Sequence, residues 1–308
     1  IVFGDWSSDV CSSDLGERAD EIQASLRELV RRCSRYGVRV FLYFNEPLAM
    51  PRQSSFWDRH PHLRGQPCAS EDTVALCTRT PEVQEFLRTG MESLFAGVPG
   101  LAGVILITAS EFHTHCFSHL STRNRTREQW GAQMACPRCR ERTPQEVIGE
   151  VVACIRQGAA AANPQAEIIA WNWSWTLYED DPQEGVIRSL PPGVAVMGDF
   201  ERGGKRVTDG FSHVVDEYSL TYAGPSERFQ GTAAAARSAG RPLYAKLQIG
   251  VTHEIATVPY FPVYFRVAEK FANLRRHATR GAMCRWNFGH LPSPNAALAH
   301  AYLRPPQP

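Results

Sequence analysis

Short apolar runs alternate along the chain with stretches whose apolar residues recur at helical spacing. Residues 38–44 and 103–108 are rich in β-branched, aromatic and aliphatic side chains, which predicts two strands, the second buried on both faces. Similar runs predict further strands at residues 166–171, 194–198, 214–219, 243–248 and 281–286. One-sided apolar patterns predict helices over residues 22–33, from Pro81, from Pro144 and from about 260 to 278.

Seven predicted strands separated mostly by helices favour a parallel α/β fold, and a (βα)8 TIM-type barrel accommodates this number best. A doubly wound sheet is the alternative. Such a sheet normally carries a glycine-rich phosphate-binding turn, and the chain contains neither a G-x-G-x-x-G sequence nor a P-loop. Because residues 16–308 contain no linker and no repeat, we expect them to form a single catalytic barrel domain.

The first fifteen residues stand apart from this pattern. Residues 5–15 repeat Ser-Ser-Asp and follow neither a helical nor a strand period. They resemble the in-frame translation of a sequencing-library adapter, a contaminant of metagenomic assemblies. We therefore interpret residues 1–15 as non-native and expect the barrel to be truncated at its N-terminus, with any signal peptide lost.

Composition narrows the function classes. The 308 residues are 43% hydrophobic and 21% charged, which is enough apolar material for a large core. Lys and Arg number 33 against 32 Asp and Glu, so a net charge of +1 provides no field to hold nucleic acid or an anionic membrane. No apolar run approaches the roughly 20 residues that span a bilayer. We expect a soluble globular protein of undetermined oligomeric state, and the free-cysteine pattern favours the cytoplasm.

Carboxylates, amides and tryptophans recur where the predicted strands end, which is where a barrel gathers its chemistry. The residues of interest there are Glu46, Ser110, Glu111, His113, Trp173, Trp175, Glu217, Tyr218, Gln248, Glu254, Trp286 and Asn287. Indole faces cover the C–H faces of sugar rings, while two carboxyl groups supply acid, base or nucleophile. Glu111 is the best catalytic candidate because it ends an otherwise apolar strand. Trp171, Trp173 and Trp175 alternate, which predicts one shared strand face, with one or two of them in the core.

The cysteines suggest a separate structural element. Cys136 and Cys139 form a C-x-x-C pair, and Cys116 lies upstream beside His115. Three thiolates and one imidazole would complete a tetrahedral structural zinc site, with a disulfide or free thiols as the alternatives. The remaining cysteines in apolar runs are interpreted as small core residues: Cys33, Cys77, Cys154 and Cys284.

Several short segments resemble landmarks of bacterial family 20-like glycoside hydrolases, with a relationship to the family 123 β-N-acetylgalactosaminidases. These segments are residues 76–83, 107–111, 216–219, 246–248, 258–263 and 292–295. The resemblance implies a barrel that removes β-linked N-acetylhexosamine, GalNAc or GlcNAc, with retention of configuration and no catalytic cofactor. It implies Glu111 as acid/base, tryptophans 173, 175 and 286 as sugar walls, and Tyr218 and Asn287 as contacts for the acetamido and hydroxyl groups.

One position departs from that family. Its members place an Asp before the acid/base Glu to orient the substrate's acetamido group, and this chain has Ser110 there. The resemblance then requires another acid, for which Glu217 and Glu254 are the candidates, or a true nucleophile at one of them. In that family the acid/base Glu ends the fourth strand, whereas Glu111 ends only the second predicted strand of this chain. Two strands would then be missing upstream, and the total would be nine. One predicted strand between residues 194 and 219 must therefore be wrong.

Two other functions remain open. Ser110 is compatible with a non-catalytic barrel that binds glycans. His113 and His115 form an H-x-H after a strand, which also occurs in metal-dependent hydrolases.

Overall fold

The structure is a computed structural model that describes residues 12–45, 47–250, 261–286 and 292–303, with side chains from residue 20 onward. The described residues fall into two compact units. Unit 1 lies within residues 1–170 and 189–194, and unit 2 within residues 171–188 and 195–308.

Unit 1 contains five helices and six strands among its described residues. The helices are α1 Ser12–Ser34, α2 Phe56–Arg59, α3 Pro81–Gly97, α4 Arg127–Gly131 and α5 Pro144–Ala162. The strands are β1 Phe41–Phe44, β2 Met50–Pro51, β3 Arg64–Pro67, β4 Thr73–Leu76, β5 Gly103–Ile107 and β6 Glu167–Trp171.

Three of these strands lie in the order β1-β5-β6, and β1 pairs with β5 in parallel, Phe41 opposite Gly103. The other three form a small antiparallel sheet in the order β2-β4-β3. Val104, Leu106 and Ile107 are buried, as expected for a strand covered on both faces.

Helices α3 and α5 begin at prolines, as the sequence predicts. Thr143 caps α5 by accepting from the Glu146 N–H, while the Glu146 carboxylate accepts from the Thr143 N–H at 2.7 Å. The two helices approach closely at Gly158, where a Cβ would lie 2.1 Å from the carbonyl oxygen of Arg88. Only glycine allows this contact.

Unit 2 contains the helices α6 Glu184–Ser189, α7 Glu227–Ser238, α8 Tyr264–Arg276 and α9 Pro294–Leu303. Its strands are β7 Ala195–Asp199, β8 Lys205–Thr208, β9 Phe211–Val214, β10 Leu243–Lys246 and β11 Gly281–Met283. Strand β10 pairs in parallel with β7 on one side and with β11 on the other.

The predicted strand at residues 214–219 is wrong. The chain instead forms an exposed antiparallel hairpin in which Thr208 lies opposite Phe211. Asp209 and Gly210 between them have φ angles of 52° and 80°, the left-handed conformation of a two-residue hairpin turn. An Asp-Gly pair is the usual signal for such a turn.

The α/β class with parallel strands is confirmed. Strands β1 and β5 pair in parallel in unit 1, and β10 pairs in parallel with β7 and β11 in unit 2. A closed (βα)8 barrel and a single domain over residues 16–308 stay predictions. Helix α1 begins at Ser12, so it includes the last residues of the segment interpreted as adapter-derived. Among the described residues, no helix combines the length and apolar character of a membrane span.

Candidate functional site

Glu111 lies just beyond the carboxyl end of β5, with its side chain exposed. Its φ angle is 80°, in the left-handed region that a non-glycine residue occupies at a cost of about 1–3 kcal/mol. Backbone strain of this kind concentrates at functional sites, where the surrounding structure holds it in place. The strained turn presents the one carboxylate at this strand end to solvent.

The Glu111 carboxylate has a specific partner on the neighbouring strand. The hydroxyl of Tyr43, on β1, donates to Glu111 Oε2 at 2.7 Å. Burial raises the pKa of Tyr43 well above its usual range, so its hydroxyl keeps its proton and remains a donor. The contact orients the carboxyl group and stabilises its charged form.

The other candidates on the same loop have structural partners. Ser110 is half-buried. His113 is buried, and its Nδ1 lies 2.8 Å from Thr73 Oγ1, on β4. Burial lowers the pKa of His113 to about 4, so its imidazole is neutral near pH 7.

His115 is fully buried and bonded to backbone at both ring nitrogens. Its Nδ1 accepts from the Phe117 N–H at 3.1 Å, which leaves Nε2 to donate to the carbonyl oxygen of Thr108. Burial lowers its pKa to about 4. The imidazole therefore holds its own loop against the end of β5, and this corrects the prediction that it ligates zinc.

The predicted cysteines do come together, with a different fourth member. The sulfur atoms of Cys116, Cys136 and Cys139 lie within 4.8 Å of one another and of Cys77 Sγ. All four thiols are free and buried. Cys77 follows β4 directly, and its apolar surroundings in sequence led to its interpretation as a core residue.

In unit 2, tryptophan and carboxylate side chains form a connected group. The indole Nε1 of Trp173 donates to Glu217 Oε1 at 3.0 Å, and both residues are half-buried. The backbone oxygen of Trp173 accepts from Arg202 Nη1 at 2.6 Å. The same guanidinium nitrogen lies 3.6 Å from Asp199 Oδ2.

Asp199 extends this group, although the sequence pattern does not predict it as a site residue. Its Oδ1 accepts from the indole of Trp171 at 2.8 Å, and the Trp171 ring contacts Trp286 edge-on at 5.1 Å between centroids. Its buried Oδ2 has no hydrogen-bond partner among the described residues. Its position is the one feature that could have identified Asp199 as a candidate, since it is the last residue of strand β7.

The alternating strand pattern predicted for Trp171, Trp173 and Trp175 does not continue beyond Trp171. Strand β6 stops at Trp171, and Trp175 begins a short 3-10 helix in which its ring is 0% exposed. Trp173 and Trp286 are half-buried. Of the three tryptophans expected to wall a sugar, these two are therefore not fully enclosed.

A buried ion pair in unit 2 holds the backbone of the candidate Gln248 and of Ser219, which follows the candidate Tyr218. Glu201 and Lys270 form a salt bridge at 0% exposure of both side chains. The Lys270 ammonium also donates to the carbonyl oxygens of Ser219, at 2.5 Å, and Gln248, at 2.9 Å. The Glu201 carboxylate accepts in return from the N–H groups of Gln248, at 2.9 Å, and Ser219, at 3.3 Å.

Tyr218 precedes Ser219 and is buried beneath a second lysine. The Lys246 ammonium lies 3.9 Å from the centre of the Tyr218 ring. Burial lowers the pKa of Lys246 to about 8. Three further candidates, Glu46, Glu254 and Asn287, lie outside the described residues.

No family model matches the chain, and no curated protein matches it. Among solved structures it is similar to the glycoside hydrolase domain of PelA from Pseudomonas aeruginosa, at 13% identity and a TM-score of 0.43, over 89% of this chain and 84% of that one. It is similar to a family 138 glycoside hydrolase targeting pectin rhamnogalacturonan II, at 11% identity and a TM-score of 0.48, over 90% of this chain and 26% of that one. Aspergillus fumigatus Ega3, in complex with galactosamine, gives 10% identity and a TM-score of 0.38, over 72% and 66%.

These likenesses are too distant to assign a fold or an activity to this chain. Nor do the names of these proteins point to family 20 or family 123, so that resemblance remains an expectation. The side chains themselves carry the functional argument.

Proposed function

We propose that this protein is a glycoside hydrolase in which Glu111 protonates the leaving glycosidic oxygen. The observation that carries the proposal is the exposed Glu111 carboxyl on a strained backbone at the end of β5, oriented by the Tyr43 hydroxyl. A general acid needs solvent and substrate access together with a fixed direction for its proton. Glu111 has both.

The side chains of unit 2 support a carbohydrate as the substrate. Trp173 and Trp286 are half-buried, and Glu217 accepts from the indole N–H of Trp173. Asp199 accepts from the indole N–H of the buried Trp171, whose ring contacts Trp286. Sugar rings place C–H faces on aromatic rings, while their hydroxyl groups bond to carboxylates and amides. Sites for small ligands commonly combine such apolar walls with a few directed polar groups.

For the substrate class we propose β-linked N-acetylhexosamine, cleaved with retention and with participation of the substrate's own acetamido group. This rests on the family 20-like segments named above. Since Ser110 cannot stabilise the cationic intermediate, the proposal needs another acid, for which Glu217 and Glu254 stay the sequence-based candidates. A conventional mechanism would use one of them as nucleophile.

A metal-dependent hydrolase based on His113 and His115 is the weaker alternative. Both ring nitrogens of His115 bond to backbone groups, and His113 Nδ1 lies against Thr73. His115 therefore has no ring nitrogen left to ligate a metal, and His113 alone, through Nε2, does not make a metal site.

The test is release of 4-nitrophenol from its β-N-acetylglucosaminide and β-N-acetylgalactosaminide, with the plain β-glucoside and β-galactoside as controls. Turnover confined to the N-acetyl sugars is the expected result. Equal turnover of the plain glycosides would overturn acetamido participation but keep the hydrolase. No turnover of these substrates or of N-acetylhexosamine polymers, with retained glycan binding, would favour the non-catalytic alternative.

A further inference from the structure

Four buried cysteines of unit 1 converge from three separate parts of the chain. Cys77 follows β4, Cys116 lies in the loop after β5, and Cys136 and Cys139 lie between α4 and α5. Their sulfur atoms all lie within 4.8 Å of one another, and none of the four residues is more than 1% exposed. We propose that these four thiolates bind one structural zinc ion.

The sulfur spacing fits a tetrahedral metal site. A Zn–S bond of about 2.3 Å with tetrahedral angles places neighbouring sulfur atoms about 3.8 Å apart. Cys77 Sγ lies 3.6 Å from Cys136 Sγ and 3.8 Å from Cys139 Sγ. A disulfide needs about 2.05 Å between sulfur atoms, far less than either distance.

The surroundings offset the charge of such a site. Zinc with four thiolates carries a net charge of −2, which is costly to bury without partners. Arg138 Nε donates to Cys77 Sγ at 3.2 Å, which places a cationic donor against one of the four sulfur atoms. Hydrogen bonds to the ligands of a metal site orient those ligands and tune the metal, and this donor also offsets negative charge.

Backbone geometry leaves room for the sulfurs. A Cβ at Gly65, on β3, would lie 2.6 Å from Cys116 Sγ, so glycine at this position lets the thiol reach the cluster. The carbonyl oxygen of Cys136 accepts from the N–H groups of Cys139 and Arg140, at 3.2 and 3.1 Å, which turns the C-x-x-C segment back on itself. Both cysteines of the pair then face the same point.

The ion's role is structural. Four protein ligands and full burial leave no open coordination position for a substrate or water. Residues 108–143 join β5 to α5 with only the five-residue α4 between them, and connections of that length need an internal support. The ion would join this segment, which includes Glu111, to the end of β4.

The first measurement is the metal content of the purified wild-type chain after dialysis against a chelator. One zinc per chain is expected, with a native mass that exceeds the denatured mass by one zinc ion. Less than a tenth of an equivalent of zinc, one equivalent of iron instead, or a disulfide between any two of the four cysteines would overturn the proposal. Because no substrate is involved, the result is independent of the hydrolase proposal.

Cobalt substitution then counts the ligands. Refolding the wild-type chain with Co²⁺ should give the intense visible absorption of a tetrahedral tetrathiolate site. Cys77→Ser should weaken and shift these bands and lower the retained zinc at least tenfold. Cys154→Ser removes a buried thiol of α5 outside the cluster and should leave zinc and spectrum unchanged; equal losses in both variants would argue against a specific site.

Discussion

The hydroxyl of Tyr43 and the carboxylate of Glu111 are joined by a 2.7 Å hydrogen bond between neighbouring strand ends. A donor that contacts a carboxylate stabilises its ionised form and fixes its direction. The pair therefore links the strength of Glu111 as an acid to a residue of β1, which lies outside the loop that carries Glu111.

Tyr43→Phe is expected to lower kcat by about 10- to 100-fold, since a hydrogen bond to a charged group is worth about 1.5–3 kcal/mol. Tyr36→Phe, at a position 84% exposed, is the matched control. An unchanged kcat would mean that the contact has no part in catalysis.

Glu111→Gln keeps the shape of the side chain and removes its proton. We expect turnover of substrates with poor leaving groups to fall by about 10² or more, with a smaller loss for 4-nitrophenyl glycosides, whose leaving group needs less protonation. KM should change little. Glu92→Gln, exposed on α3, should retain full activity. The same loss of kcat/KM for all leaving groups would exclude Glu111 as the proton donor, because kcat/KM reports the step in which the leaving group departs.

Lys270→Met leaves the Glu201 carboxylate buried without its counter-charge. Removing one partner of a buried ion pair costs about 3–5 kcal/mol of the free energy of unfolding. Adding Glu201→Gln to this variant should recover much of that loss. Urea denaturation of both variants measures it, and a loss below about 1 kcal/mol for Lys270→Met would show that the pair is not what stabilises these loops.

His113 makes stability depend on pH. Its pKa is lowered from 6.5 to about 4, so below pH 6.5 the unfolded chain binds a proton that the folded chain takes up only near pH 4. Stability is therefore lost as the pH falls through this window, by about 2 kcal/mol between pH 7 and pH 5. His113→Asn, which keeps a polar group toward Thr73, should reduce this loss, as measured by denaturation at both pH values.

Local patterns sufficed for much of the fold. The apolar runs at residues 103–108 and 166–171 became β5 and β6, and Pro81 and Pro144 begin helices as predicted. The apolar residues at 214–219 predict a strand that does not form. The Asp209-Gly210 pair forms a hairpin turn, and the second strand of that hairpin ends at Val214. The small sheet of β2, β3 and β4 gave no signal, since its strands are short and only partly apolar.

The candidate site was harder to predict because its contacts join distant residues. Cys77 lies far from the C-x-x-C pair in sequence and sits in an apolar run, so no spacing rule connects them. The position of His115 beside Cys116 predicts a zinc ligand, but both ring nitrogens of the imidazole form hydrogen bonds with backbone groups. Strand alternation could not be extended to Trp175, since β6 ends four residues earlier.

The Glu201–Lys270 pair has a consequence for how unit 2 opens. The N–H groups of Ser219 and Gln248, from two different loops, both donate to one carboxylate, and their carbonyl oxygens both accept from one ammonium. Neither amide gains access to solvent unless the same pair separates. In hydrogen–deuterium exchange the two loops should therefore lose protection in a single event, at one shared rate.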